Sequence, residues 1–133
     1  MEWDSTARRD VTGPVIVAVD DDFRVRESIE SLFESAGYKP ALFASADEFL
    51  RSGMLTHAAC VITDVRMPGI DGIELQRRIR EANPFLPVIF ISAHISVETR
   101  QLALGGGAVE FLYKPFDAAE LLRVVQAALS KSR

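Results

Sequence analysis

The stretch VITDVRMPGIDGIEL, residues 61–75, contains one structural repeat in miniature. Val61 and Ile62 lie in an apolar run, 58–63, with the near-continuous hydrophobicity of a strand buried on both faces of a parallel sheet. The run stops at an acid, Asp64. Asp71 with Glu74 then opens a helix carrying Leu75, Ile79 and Ala82, which ends before Pro84.

The same alternation extends in both directions. Further apolar runs occupy 15–19 (VIVAV), 40–44, 87–91 and 109–113. After the first, Val25, Ile29, Leu32 and Phe33 follow helical spacing, and Gly37 offers a stop. Ser45 and Glu48 form a capping-box pattern before Phe49 and Leu50, with Gly53 as the stop. Ser96 caps a fourth helix through about Leu104. Asp117 with Glu120 opens a fifth, whose Leu121, Leu122, Val125, Ala128 and Leu129 make one apolar stripe. Five strand–helix alternations predict an α/β fold: a (βα)5 doubly wound parallel sheet with right-handed crossovers. Pro40 lacks the amide a central strand needs, so its strand belongs at a sheet edge, compatible with strand order 2-1-3-4-5. Gly105, Gly106 and Gly107 cost up to ~1 kcal/mol each if helical, and are expected to loosen the end of the fourth helix.

The 133 residues fit one domain: an expected loose arm over 1–13, ending at Gly13-Pro14, then a folded unit over 14–130. A net charge of −4 argues against direct nucleic-acid binding by this domain. The single cysteine, Cys60, forms no intramolecular disulfide and reads as a small core residue. No apolar run approaches the roughly 20 residues of a membrane helix, and no signal-peptide core follows the first residues. A cytoplasmic protein without membrane attachment is the expectation.

In an open parallel sheet, ligands bind beyond the carboxyl ends of the strands, where the strand order reverses. The first strand runs into Asp20, Asp21 and Asp22; the third ends at Asp64; the fourth meets Ser92 and the fifth Lys114. Carboxylates gathered from adjacent strand ends raise one another's pKa unless a cation intervenes. Mg²⁺ suits an oxygen-only site and would neutralise charge as a phosphoryl group arrives. A carboxylate can then attack phosphorus to form an aspartyl phosphate, with an ammonium and a hydroxyl meeting the phosphoryl oxygens.

VIVAVDDD, VITDVRMPGIDGIEL, VIFISAH and VEFLYKPF, in this order and spacing, resemble the receiver domains of two-component response regulators, with the MPG and KPF segments suggesting a FixJ/NarL-like branch. The resemblance covers residues 14–130 and implies a flavodoxin-like fold. It implies that Asp64 accepts a phosphoryl group from a sensor histidine kinase or phosphotransfer protein. Asp20, Asp21, Asp64 and the backbone carbonyl of Arg66 would hold Mg²⁺. Ser92 and Lys114 would contact the phosphoryl group, and Ser92 and Phe111 would act as the switch pair. It further implies a cis Lys114–Pro115 peptide. The fourth-helix, fifth-strand and fifth-helix face would change on phosphorylation, controlling an output domain or partner and supporting homodimers. The chain would catalyse only its own phosphorylation and dephosphorylation, as a stand-alone receiver or the first part of a longer regulator. Arg66 and His94, two residues beyond the acceptor and the hydroxyl, are expected to influence phosphoryl lifetime.

Simpler roles compete for single residues. One aspartate after a strand usually caps a helix, and that is the reading for Asp22; acids after two adjacent strands together with Lys114 favour a site. Phe111 is a switch aromatic or plain core. His57 reads as solvated, and Arg77, Arg78 and Arg80 as a solvated helix face. A phosphatase of the haloacid-dehalogenase type would need Thr or Val where Arg24 stands, and would use Asp20 as nucleophile. A flavodoxin-like electron carrier would meet FMN phosphate with a row of acids. A pseudo-receiver acting only as a binding module has no need of the intact set.

Overall fold

Pairing of the apolar runs builds a single sheet in the computed structural model, which describes residues 13–93 and 95–131. The elements are β1 (Val15–Val19), α1 (Phe23–Ser35), β2 (Lys39–Phe43), α2 (Ala46–Ser52), a 3₁₀ turn (Met54–Thr56), β3 (Cys60–Thr63), α3 (Gly72–Ala82), β4 (Val88–Ser92), α4 (Val97–Gly105), β5 (Glu110–Tyr113) and α5 (Ala118–Lys131). The strands pair in parallel in the order β2-β1-β3-β4-β5. This is the flavodoxin-like topology, with Pro40 on an edge strand as its missing amide requires. Several apolar runs overshoot the paired segments by a residue or two, because ladder register rather than hydrophobicity sets strand ends. Thus β3 begins at Cys60, opposite Ile16, and not at Ala58. Residues 1–12 of the expected arm, and His94, lie outside the described residues.

The two-residue period of the strands divides the core between the faces of the sheet. Val17, Val19, Val61 and Phe90 pack with Phe49 of α2, Leu75 and Ile79 of α3, and Ala103 of α4. Ile16, Ala18, Ile62, Ile89 and Ile91 pack on the other face with Ile29 and Phe33 of α1 and Leu121 and Val125 of α5. Burial of each such aliphatic side chain contributes about 1.5–3 kcal/mol.

Side chains placed as the sequence suggested start the helices. The Asp22, Ser45, Asp71 and Ser96 side chains accept from the amides of Arg24, Glu48, Glu74 and Thr99. Glu48 reaches back past the Ser45 cap and accepts from the Ala44 amide at 3.1 Å, a variant of the capping box displaced by one residue. Each such cap is worth ~1 kcal/mol.

Candidate phosphoryl-acceptor site

The sheet ladder continues one hydrogen bond beyond the strands and fixes the backbone of three site residues. Asp20 N donates to Phe43 O at 3.0 Å, Asp64 N to Val19 O at 3.1 Å, and Lys114 N to Ser92 O at 2.9 Å. Three side chains from three strand ends therefore start from rigid anchors, the condition for holding a constellation to a fraction of an ångström.

Asp64 is the hub. Its Oδ1 accepts from the Val65 amide at 2.6 Å and from the Ser92 hydroxyl at 2.7 Å, and its Oδ2 accepts from Lys114 Nζ at 2.8 Å. The same ammonium lies 3.0 Å from Asp20 Oδ2. The other Asp20 oxygen accepts from the Asp22 amide, and the Asp20 carbonyl accepts from the Arg26 guanidinium. Asp20, Asp64 and Ser92 are buried at 3%, 7% and 3% exposure, so these partners replace water that the side chains have lost.

Electrostatics follow from this crowding. Burial pushes the Asp20 carboxyl above its ordinary value, with the Asp64 charge adding to the rise; the Asp22 amide and Lys114 offset only part of it. Burial alone would lower the Lys114 pKa, but hydrogen bonds to Asp64 and Asp20 outweigh it and the net shift is upward. The ammonium is thus fixed as a cation between two carboxylates.

Asp20, Asp21 and Asp64 each offer a carboxylate oxygen within 4.8 Å of the others, with Asp21 exposed. Three carboxylates against one ammonium leave two negative charges uncompensated, which matches a divalent cation. The donor set is all oxygen, and the exposed side is open to water; both suit a hard ion such as Mg²⁺ that keeps part of its hydration.

The structure separates the remaining expected residues. Arg66 is exposed, two residues beyond Asp64. Asp22 spends its side chain on the α1 cap. Phe111 is buried on β5, stacked on Phe90 at 5.8 Å and tilted against half-exposed Tyr113 at 5.3 Å. The Lys114–Pro115 peptide is cis. Cys60 is fully buried, His57 is exposed, and the exposed Arg77 and Arg78 pair with Glu74, Arg77 also with Glu81. Arg80 is exposed as expected, and it also donates to the Gly106 carbonyl.

Two contributors escaped the sequence reading. Gly72 opens α3 with its amide on the Val65 carbonyl at 2.7 Å, and a Cβ there would collide with the Asp64 carbonyl. A glycine in the first turn of a helix, where propensity argues against it, was the available signal. Arg26 left no signal, because its partner is a backbone carbonyl.

The family model for the response regulator receiver domain matches residues 16–126. Nodulation protein W of Bradyrhizobium diazoefficiens is 39% identical over 122 residues, covering 92% of this chain and 54% of that protein. Transcriptional regulatory protein FixJ of Azorhizobium caulinodans is 40% identical over 114 residues, covering 86% of this chain and 54% of that protein. The chain spans about half the length of these relatives. A receiver domain crystal structure from Clostridium thermocellum superposes with a TM-score of 0.84 at 29% identity, covering 89% of this chain and 95% of that one.

Proposed function

This chain belongs to the receiver-domain family of two-component response regulators, and on that premise we propose that Asp64 is its phospho-acceptor. The observation that carries the reading is the convergence on one buried carboxylate of a hydroxyl, an ammonium and two further acids, each from a strand end.

In the proposed reaction an Asp64 carboxylate oxygen forms a bond to phosphorus as the P–N bond of a phosphohistidine breaks. The imidazole of the kinase or phosphotransfer protein departs with the electron pair. Asp20, Asp21, Asp64 and the Arg66 carbonyl would hold Mg²⁺, which supplies charge neutralisation as the phosphoryl group arrives. Lys114, already beside the Asp64 oxygen, meets a phosphoryl oxygen as a point charge. Ser92 exchanges its Asp64 partner for another phosphoryl oxygen. Phe111 follows Ser92, shifting the population between two packings of the α4-β5-α5 face. That face carries exposed Leu102 and Tyr113, apolar surface suited to a homodimer or an output partner. The two relatives are named as a nodulation protein and a transcriptional regulator. By that likeness residues 14–130 form the receiver unit of a cytoplasmic regulator that acts catalytically only on its own modification. Among the described residues no helix is long and apolar enough to cross a membrane. Arg66 and His94 would tune hydrolysis of the aspartyl phosphate.

The test is incubation with a small phosphodonor and Mg²⁺ followed by intact-mass measurement. Wild type gains one phosphoryl mass, chelation of the metal abolishes the gain, and Asp64→Asn shows none. The same gain in Asp64→Asn, or labelling that follows Asp20, would overturn the assignment.

A further inference from the structure

The α4 helix is weakly held by apolar packing. Its nine residues bury only Ala103 fully, while Val97 and Leu102 are 67% and 63% exposed. Its C-terminal turn is instead met by polar side chains of α3. The Gln76 amide, itself only 4% exposed, donates to the Ala103 carbonyl at 2.8 Å across 27 residues of chain. One turn further along α3, Arg80 donates to the Gly106 carbonyl.

Two of the glycines in the 105–107 run make this meeting sterically feasible. A Cβ on Gly106 would lie 2.8 Å from Gln76 Oε1, and one on Gly107 would collide with the Arg80 guanidinium. Gly107 also sits at φ +104°, where a side chain is strained regardless of space. The run therefore does not simply loosen α4; it forms a notch that admits α3. The opposite end of α3 is seated against the Asp64 carbonyl through Gly72. One rigid helix thus touches the acceptor residue at its start and the end of α4 near its finish.

We propose that Gln76 and Arg80 form a clasp on the C-terminal turn of α4 that holds this helix in the packing seen here, so that switching has to open it. The clasp itself follows from the contacts; its link to switching rests on the proposed role of Asp64. It places a control point on α3, outside the Ser92–Phe111 pair.

Hydrogen exchange on the whole chain tests it, read at the amides of Gly106, Gly107 and Ala108, which close the last turn of α4. Gln76→Leu and Gly106→Ala are expected to speed exchange at these amides on the order of fivefold, the effect of one net hydrogen bond on a local opening. Sheet amides in β1 and β3 keep their wild-type rates. For Gly106→Ala the sign is diagnostic. Gly106 has φ −79°, so alanine is locally acceptable and propensity alone would slow exchange there. Should a buried variant lose sheet protection, the exposed Arg80→Ala provides the same readout without disturbing the core. Wild-type rates at these amides in the folded variants would overturn the clasp. Phosphodonor with Mg²⁺ should move the wild-type rates toward those of the variants. A phosphoryl mass gain without that acceleration would sink the link to switching. Absence of any mass gain would instead refute the role of Asp64, leaving the variant comparison to judge the clasp.

Discussion

Lys114→Met keeps the approximate length of the side chain and removes one positive charge from the centre of the site. The ammonium lies 3.0 Å from Asp20 and 2.8 Å from Asp64, with the three side chains 19%, 4% and 9% exposed. The clustered carboxylate oxygens are at most 4.8 Å apart. Two unit charges at that distance in an effective dielectric of 20 repel by about 3.5 kcal/mol. In the variant only the Asp22, Val65 and Ser92 donors remain against this repulsion, and two charge-assisted hydrogen bonds are lost with the ammonium. Relief comes from no longer desolvating the lysine and from proton uptake by Asp20, whose carboxyl is already pushed upward by burial. A net loss of about 3 kcal/mol is expected at pH 8 without metal, the scale found when one partner of a buried pair is removed. For a domain of this size that lowers Tm by roughly 10 °C.

The loss should depend on conditions in a defined way. Acidification lets Asp20, whose carboxyl is already held above its ordinary value by burial, take up a proton and narrows the gap between wild type and variant. Millimolar Mg²⁺ narrows it as well, by supplying charge that the lysine no longer does. At the alkaline end, the raised pKa of Lys114 means its contribution is fully present below the ordinary value of 10.5 and is lost as pH rises through the folded value. Urea unfolding followed by circular dichroism, with and without Mg²⁺, measures all three. A gap below about 1 kcal/mol at pH 8 without metal, or one that widens with Mg²⁺, would refute the reasoning.

Asp20→Asn should act in the opposite direction. The raised folded pKa of Asp20 means its stabilising contribution is present below the ordinary 3.8 and lost as pH rises through the folded value, so at neutral pH the charge opposes folding. Neutralising it is expected to add about 1 kcal/mol without metal while weakening Mg²⁺ affinity, and a lowered Tm in metal-free buffer counts against this. Gly72→Ala forces a methyl into the Asp64 carbonyl and should cost about 1–3 kcal/mol together with much of the phosphoryl uptake; uptake at the wild-type rate would show that α3 can yield. Burial pushes the Cys60 thiol up to about 12, so it should resist alkylation in the native state and react fully in urea, with stability falling as pH rises from about 9 toward that value. Rapid native alkylation would contradict its burial.

What could be read from the sequence was what depends on local order. Asp20, Asp64, Ser92 and Lys114 could be placed because each stands at or just beyond a strand end, so finding the strand finds the residue. Asp22, Ser45 and Asp71 were legible as caps because their partners are two or three residues away. Gln76 and Gly106 illustrate the limit. Their meeting spans some 30 positions and depends on the angle between two helices, so the triple glycine reads in sequence only as a propensity cost and a loosened helix end. Arg80 shows the same limit: its exposure is legible in the helix pattern, but its partner, a backbone carbonyl, is not. Strand ends shifted because apolar residues continue past the ladder, as Ala58 and Ala59 do before Cys60.

The charges of the site explain why so many groups must converge on Asp64. With Lys114 in place two negative charges remain uncompensated, and turning the Asp64 carboxylate into an acyl phosphate carrying roughly two negative charges adds about one more. One ammonium cannot neutralise this total, and it is already engaged by both Asp20 and Asp64. On the proposed reading a divalent cation is therefore an electrostatic requirement of the phosphorylated form. Ser92 faces a related constraint, because its hydroxyl has one proton to donate and spends it on Asp64. To meet a phosphoryl oxygen it must release that partner, and the release draws on the end of β4. The following segment leads into α4, a helix with little apolar anchoring and a polar clasp at its far end. On the proposed reading, a small displacement at this buried hydroxyl would thereby reach a helix that buries little apolar surface.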